Sequence, residues 1–158
     1  MKRVFSIIVT LLLGFVSLSS AQIQMDYSSP EKTLESYLAA AKALSFELTD
    51  ECYTVEFLVF TQTDEEYMRH RNVNQLRTSY SSIANKPYEV EMYDEKAIIR
   101  FAPEFKRPQP LYFVKEVGIW KMDAMFMFNN VIMVDGDPEV EWKWKNSDVD
   151  NEALWLNK

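Results

Sequence analysis

The apolar positions change their spacing several times along the chain. From Val4 to Leu18 they form a nearly continuous run, centred on Leu11-Leu12-Leu13, behind a Met1-Lys2-Arg3 start. Ser19, Ser20 and Ala21 follow, so a basic start, a short apolar run and small residues stand in the order of a signal peptide cut after Ala21. The run is shorter than the ~20 residues a membrane span prefers, and no cysteine follows it to carry a lipid. Residues 1–21 are therefore expected to be removed, and 22–29 to be a linker. An α+β domain is expected over 30–145 and a polar tail over 146–158.

From Ser28-Ser29-Pro30-Glu31 the period becomes helical. Ser28 and Glu31 have capping-box spacing, and Pro30 is tolerated in a first turn, where its missing N–H has no partner to lose. At about 100° per residue, Leu34, Tyr37, Leu38, Ala41, Leu44 and Leu48 share one stripe, the pattern of a helix lying on a core. Val55 to Phe60 is a short apolar run that fits a buried strand or a core helix equally. Thr63 then caps a predicted helix reaching about Ala84, with Asp64, Glu65 and Glu66 where the helix dipole favours them. Its stripe is Val73, Leu76, Tyr80 and Ile83.

After Asn85-Lys86-Pro87 the period falls to two. Tyr88, Val90 and Met92 alternate with polar neighbours; Ala97–Phe101, Leu111–Lys115 and Ile119–Phe128 follow as strands, the last two joined by a tight turn at Val117-Gly118. Three prolines make 103–110 an exposed loop. Val140, Trp142 and Trp144 predict a fifth strand. Helices before an antiparallel meander mean α+β, with the N-terminal helices on one face of a curved, cone-like sheet. Along 119–128, alternation puts Trp120, Met122, Ala124, Phe126 and Phe128 toward the helices. Ile119, Lys121, Asp123, Met125 and Met127 then face outward, a half-apolar face that a second copy or the tail has to cover. A homodimer through the outer sheet face is one such arrangement.

Charge and composition narrow the chemistry. The 158 residues carry 17 Lys+Arg against 24 Asp+Glu, a net −7. Loss of Lys2 and Arg3 with the leader takes the basic count to 15 and the net charge to −9. That field repels phosphate backbones, so no nucleic-acid partner is expected. No second apolar run has membrane length, so no membrane span is expected in the mature chain. One His and one Cys exclude a disulfide scaffold, the common zinc sites and a multi-histidine catalytic plan. Three glycines exclude a Gly-rich phosphate loop, and Gly-x-Ser-x-Gly does not occur. Cys52 is expected to fill apolar space. The acidic stretches Asp135-Gly136-Asp137 and Asp148 to Glu152 lack calcium-loop spacing and read as solvated loops. No metal and no cofactor are expected.

Two segments resemble the nuclear-transport-factor-2-like superfamily, the cone-shaped α+β folds that include ketosteroid-isomerase-like and polyketide-cyclase-like proteins and many exported bacterial domains. Ser29-Pro30-Glu31 opens the first helix, with Leu34-Glu35-Ser36-Tyr37-Leu38-Ala39-Ala40 after it. Leu111 to Met122 forms a hairpin carrying Lys115-Glu116-Val117-Gly118-Ile119-Trp120-Lys121. The likeness spans about 29–128 and implies a cavity between helices and sheet; Val131 to Lys158 is an addition to it. It speaks to fold more than to chemistry.

The resemblance implies that an enzyme of this kind would place an acid, a His or a Tyr in the cavity. His70 is the natural titratable group, if Asp64 or Glu66 orients it. Asp123, among Trp120, Met122 and Met125, would be a general base if apolar surroundings raised its pKa; alternation instead sets it beside Lys121 on the sheet surface. Tyr37, Tyr80, Trp120 and Met122 are candidate ligand contacts, their rings and thioether suiting an adaptable apolar pocket. The sequence therefore leads to an exported, soluble, non-enzymatic binding domain, periplasmic or extracellular, for a small apolar ligand or a protein partner. A small isomerase, lyase or hydrolase using His70 with a Tyr or Asp is the alternative. A structural cell-envelope module, acting through the Trp-bearing 140–155 region, is the third reading.

Overall fold

The computed structural model describes residues 23–136 and 140–158. The signal peptide expected at 1–21 lies outside the described residues, as does Asp137 of the Asp-Gly-Asp turn. The architecture is α+β, built on a four-stranded antiparallel sheet.

Helix α1 spans Pro30–Lys42. Its cap is Ser29, one residue later than capping-box spacing predicts: the Ser29 hydroxyl accepts from the Lys32 N–H. The stripe expected to run on to Leu48 breaks at Leu44, whose φ of +58° ends the helical path. Ser45 then caps a short α2, Phe46–Asp50. Residues 23–29, read as a linker, are fastened down. The Ser36 hydroxyl accepts from the Asp26 N–H at 2.7 Å and donates to the Asp26 carbonyl at 3.0 Å. The Trp120 N–H donates to the Tyr27 carbonyl.

The undecided apolar run is helical: α3 covers Val55–Thr63, with Phe57 and Thr61 buried. Thr63 ends this helix instead of capping the next. Asp64 is the cap, accepting from the Tyr67 N–H at 2.6 Å. The single helix expected to reach Ala84 is two, α4 (Glu65–His70) and α5 (Val73–Ile83). They part at Asn72, which forms a reciprocal capping box with Gln75. Asn72 competes for the backbone and restarts the helix, a local bond that the apolar stripe conceals.

Strands β1 (Tyr88–Tyr93), β2 (Lys96–Phe101), β3 (Leu111–Glu116) and β4 (Ile119–Met122) pair in sequence order as a meander, as expected. The register sets Phe113 opposite Ala97 and Met122, and Tyr112 opposite Ile98. Alternation then gives two faces. Leu111, Phe113, Trp120 and Met122 lie on the first, toward α1, whose Thr33 hydroxyl donates to the Trp120 carbonyl at 3.0 Å. Ile98, Arg100 and Tyr112 lie on the second. Tyr112, Phe113, Ile98 and Ile99 are fully buried, each such apolar side chain contributing about 1.5–3 kcal/mol.

The predicted fourth strand ends six residues early. At Asp123 the chain turns into α6, Ala124–Asn130, because the Asp123 carboxylate accepts from the Phe126 N–H and caps it. Ala124, Met125 and Met127 are good helix formers, so the apolar alternation through Phe128 is fortuitous. Strands β5 (Val131–Val134) and β6 (Glu141–Trp144) form a separate hairpin.

The N-terminal helix α1 packs on the first face, and the second face is covered from the C-terminal end. Residues expected as a polar tail form α7, Asn151–Leu156, which packs Trp155 onto the second face. The Trp155 ring lies 5.1 Å from Tyr112, with Phe126 of α6 4.7 Å from the same tyrosine. The chain therefore covers its own outer face. The strand alternation that argued for a homodimer there is absent, since Met125 and Met127 belong to α6.

Candidate functional site

An open cavity of about 530 Å3 lies between α1, α3, α4 and α5 on one side and the first sheet face, α6 and β5 on the other. That is within the size range of small-molecule sites, roughly 300–1,000 Å3. Its floor is aromatic and aliphatic. Tyr37 of α1 meets Tyr53 edge-on at 5.8 Å, Tyr53 meets Phe57 at 4.8 Å, and Phe57 meets Tyr67 at 5.9 Å. Leu111, Met122 and Met127, all buried, complete the apolar wall.

Each ring is positioned by a local device. Tyr53 enters through a parallel bridge to Met122, braced by the Thr54 N–H donating to the Met122 carbonyl and the Met122 N–H donating to the Cys52 carbonyl. Tyr67 stands in the first turn of α4, fixed by the Asp64 cap. Arg71, just after α4, pairs with Asp50 and lies 4.1 Å over the Phe46 ring, tying α2 to the end of α4. Burial pushes the Tyr53 phenol well above its ordinary value, and the Tyr37 hydroxyl adds to this. Burial also raises Tyr67, opposed by the Arg71 guanidinium. Both phenols are therefore neutral hydrogen-bond donors at physiological pH.

The outer parts are polar. Thr78, Ser79 and Ser82 line one side from α5; Arg107, Gln109 and Lys145 line the other. The 103–110 loop was expected to be exposed, yet Pro108 and Pro110 are buried, and this anchors Arg107 at the cavity. Gln109 donates only to the Met127 sulfur, at 3.6 Å. The Lys145 ammonium donates to the Phe128 carbonyl at 2.8 Å and lies 5.7 Å from the Phe128 ring, at the cavity's exposed side.

Two of the predicted contacts, Tyr37 and Met122, line this cavity. Trp120 is buried but does not line it, packing instead near Lys115 and against the N-terminal segment. Tyr80 is half-buried on α5 and outside the lining. His70 ends α4 exposed to solvent; only its backbone carbonyl is engaged, accepting from the Asn72 amide at 2.9 Å. Among the described residues no carboxylate pairs with its ring.

Asp123 is neither a cavity base nor a sheet-surface partner of Lys121. One oxygen caps α6, and the other accepts from the Trp155 indole at 2.8 Å. Cys52 is buried, and burial pushes its thiol up to about 12. Among the described residues no three His, Cys, Asp or Glu side chains converge as a metal site. Asp150 and Glu152 have structural work instead: Asp150 caps α7 and Glu152 pairs with Arg100.

Tyr53, Phe57, Tyr67, Arg107 and Lys145 were not singled out by sequence reasoning. Phe57 belongs to an apolar run that fitted strand and helix alike, and Tyr53 reaches the cavity through its bridge to Met122, a contact far away in sequence. A second cavity of about 380 Å3 lies between α6 and α7, beside Lys96, Asp123 and Trp155. Comparison of the chain with family models, curated proteins and solved structures finds no match in any of the three.

Proposed function

We propose that this protein is an exported, non-enzymatic binding domain of the nuclear-transport-factor-2-like kind, holding a small, largely apolar ligand in the cavity between its N-terminal helices and its sheet. The observation that carries the reading is the aromatic floor of Tyr37, Tyr53, Phe57 and Tyr67 beneath an open cavity of about 530 Å3. Apolar surface that faces a cavity instead of packing is unfilled burial, and a ligand gains roughly 25 cal/mol per Å2 of the apolar area it removes from water. The helix-then-meander order and the leader-like first 21 residues support the family and the export. The described chain holds no helix long and apolar enough to cross a membrane, which is compatible with that address.

Binding is favoured over catalysis by where the reactive groups lie. His70 is in solvent without an orienting carboxylate, both Asp123 oxygens are taken, and the Cys52 thiol is buried and protonated. A general base or nucleophile needs the opposite in each case.

The test is equilibrium binding of the neutral fluorophore 1-aminoanthracene, to the wild-type chain and to Ser82→Trp, which fills the cavity from its α5 side. Saturable micromolar binding, lost in the variant while thermal unfolding stays cooperative, is expected. Absence of saturable binding to wild type overturns the reading. Intact mass of the exported protein tests the address: its N-terminus is expected at Gln22.

A further inference from the structure

We propose that the ligand is an amphiphilic anion, an apolar body on the aromatic floor with a carboxylate or similar oxyanion held at the rim by Arg107 and Lys145. This rests on the binding reading above and specifies its chemistry. The protein carries 24 acidic against 17 basic residues, yet among the described residues the cavity lining holds two cations and no Asp or Glu. A random sample of so acidic a chain would put carboxylates in the lining. Their exclusion leaves a local positive rim on a negative molecule, and like-charge groups near an anion are the costliest error such a site can make.

The two cations also have no acidic partner, although Lys145 donates to the Phe128 carbonyl. Among the described residues neither Arg107 nor Lys145 has a carboxylate in ion-pair reach, whereas Lys32, Arg71, Arg100 and Lys106 do. Arg107 is half-buried on a loop fixed by Pro108 and Pro110, so its planar fork is offered with part of its ordering already done. The lining adds neutral donors: the Tyr67 phenol, the Ser79 hydroxyl, and the Gln109 amide, whose Nε2 meets only a weak sulfur acceptor. A site rich in N–H and O–H donors and free of carboxylates matches an oxyanion. The buried aromatic floor restricts this to anions with a substantial apolar part.

The experiment displaces 1-aminoanthracene with three ligands of one chain length: decanoate, 1-decanol and decyltrimethylammonium, each below its micelle concentration. Decanoate is expected to compete about tenfold more strongly than decanol, and the cation most weakly. In the double variant Arg107→Gln, Lys145→Gln the decanoate-to-decanol ratio is expected to fall to about one. Raising NaCl from low to molar concentration should erode the same ratio in the unmodified protein, which requires no variant to fold. If decanol competes as well as decanoate in wild type, the anion inference is overturned and the apolar cavity stands. If the ratio persists in the double variant, the assignment to Arg107 and Lys145 is overturned. If the fluorophore itself does not bind, the cavity reading fails, and this inference with it.

Discussion

Val117 sits at φ +51° and Gly118 at φ +83°, the pair of left-handed conformations that a two-residue hairpin between β3 and β4 demands. Glycine adopts this freely. A β-branched residue does not, because its Cβ crowds the carbonyl, and left-handed backbone costs L-residues about 1–2 kcal/mol. Val117 is fully exposed, so it recovers nothing by packing. Val117→Asn gives the Asn-Gly sequence this turn prefers and is expected to stabilise the protein by about 0.5–1 kcal/mol in urea titration. An unchanged or lower midpoint would mean that the strain is relieved elsewhere in the hairpin. The tight turn was legible in the sequence, but its strain was not: periodicity locates a turn, while the sign of φ depends on the register of the strands it joins.

Among the elements, α1 was legible by its helical stripe and β1 by its alternation, while β2 and β3 were legible as short β-branched and aromatic runs bounded by turn residues. Two segments were not. Val55–Phe60 has apolar residues on every side, so no period can be read from it. Residues 119–128 read as one strand, alternating at the start and apolar throughout after Asp123, yet the element changes at Asp123, whose carboxylate makes one bond to the Phe126 N–H and one to Trp155. The second bond spans 32 residues and cannot be seen locally. The same long-range contact turns the polar tail into a packed helix. The candidate site was partly legible for a related reason. Tyr37 sits on a clear stripe, whereas Arg107 reaches the cavity only because prolines in its loop are buried. Trp155, 4% exposed and flanked by Tyr112 and Phe126, should carry most of the docking of α7. Trp155→Ala is expected to cost about 3–5 kcal/mol, read by chemical denaturation. It should also expose the Tyr112 face, so light scattering is expected to show more self-association than in the wild-type chain. A variant as stable as the wild-type chain and no more associated would mean that α7 contributes little to that face.

Across the whole molecule, the C-terminal additions are held to the sheet through carboxylates, and this makes acid their specific solvent. Arg100 on β2 is the centre: its guanidinium donates to both oxygens of Glu91 at 2.7 and 3.0 Å and to both oxygens of Glu152 at 2.9 and 2.6 Å. Glu152 also accepts from the Tyr112 hydroxyl at 2.5 Å. Lys106, in the loop before β3, pairs with Glu141 of β6 through a single contact at 2.6 Å. The cations hold Glu91, Glu141 and Glu152 below the usual carboxylate range, despite the opposing effect of burial. A carboxylate with a lowered folded-state pKa contributes stability that is present above its unfolded value, about 4.3. That stability is lost as pH falls through the folded value. By contrast, α1 packs on β2 and β4 through uncharged groups, such as Leu34 and the Thr33–Trp120 hydrogen bond. The molecule should therefore open in order. Between about pH 5 and pH 3, hydrogen exchange is expected to rise first in 141–158, while amides of α1, β2 and β3 stay protected. Glu152→Gln removes the charge but keeps the shape, so it should lower stability at neutral pH and flatten the acid response of α7. If exchange rises uniformly through the chain, these carboxylate clamps are not what fastens α7 to the sheet and β6 to the 103–110 loop.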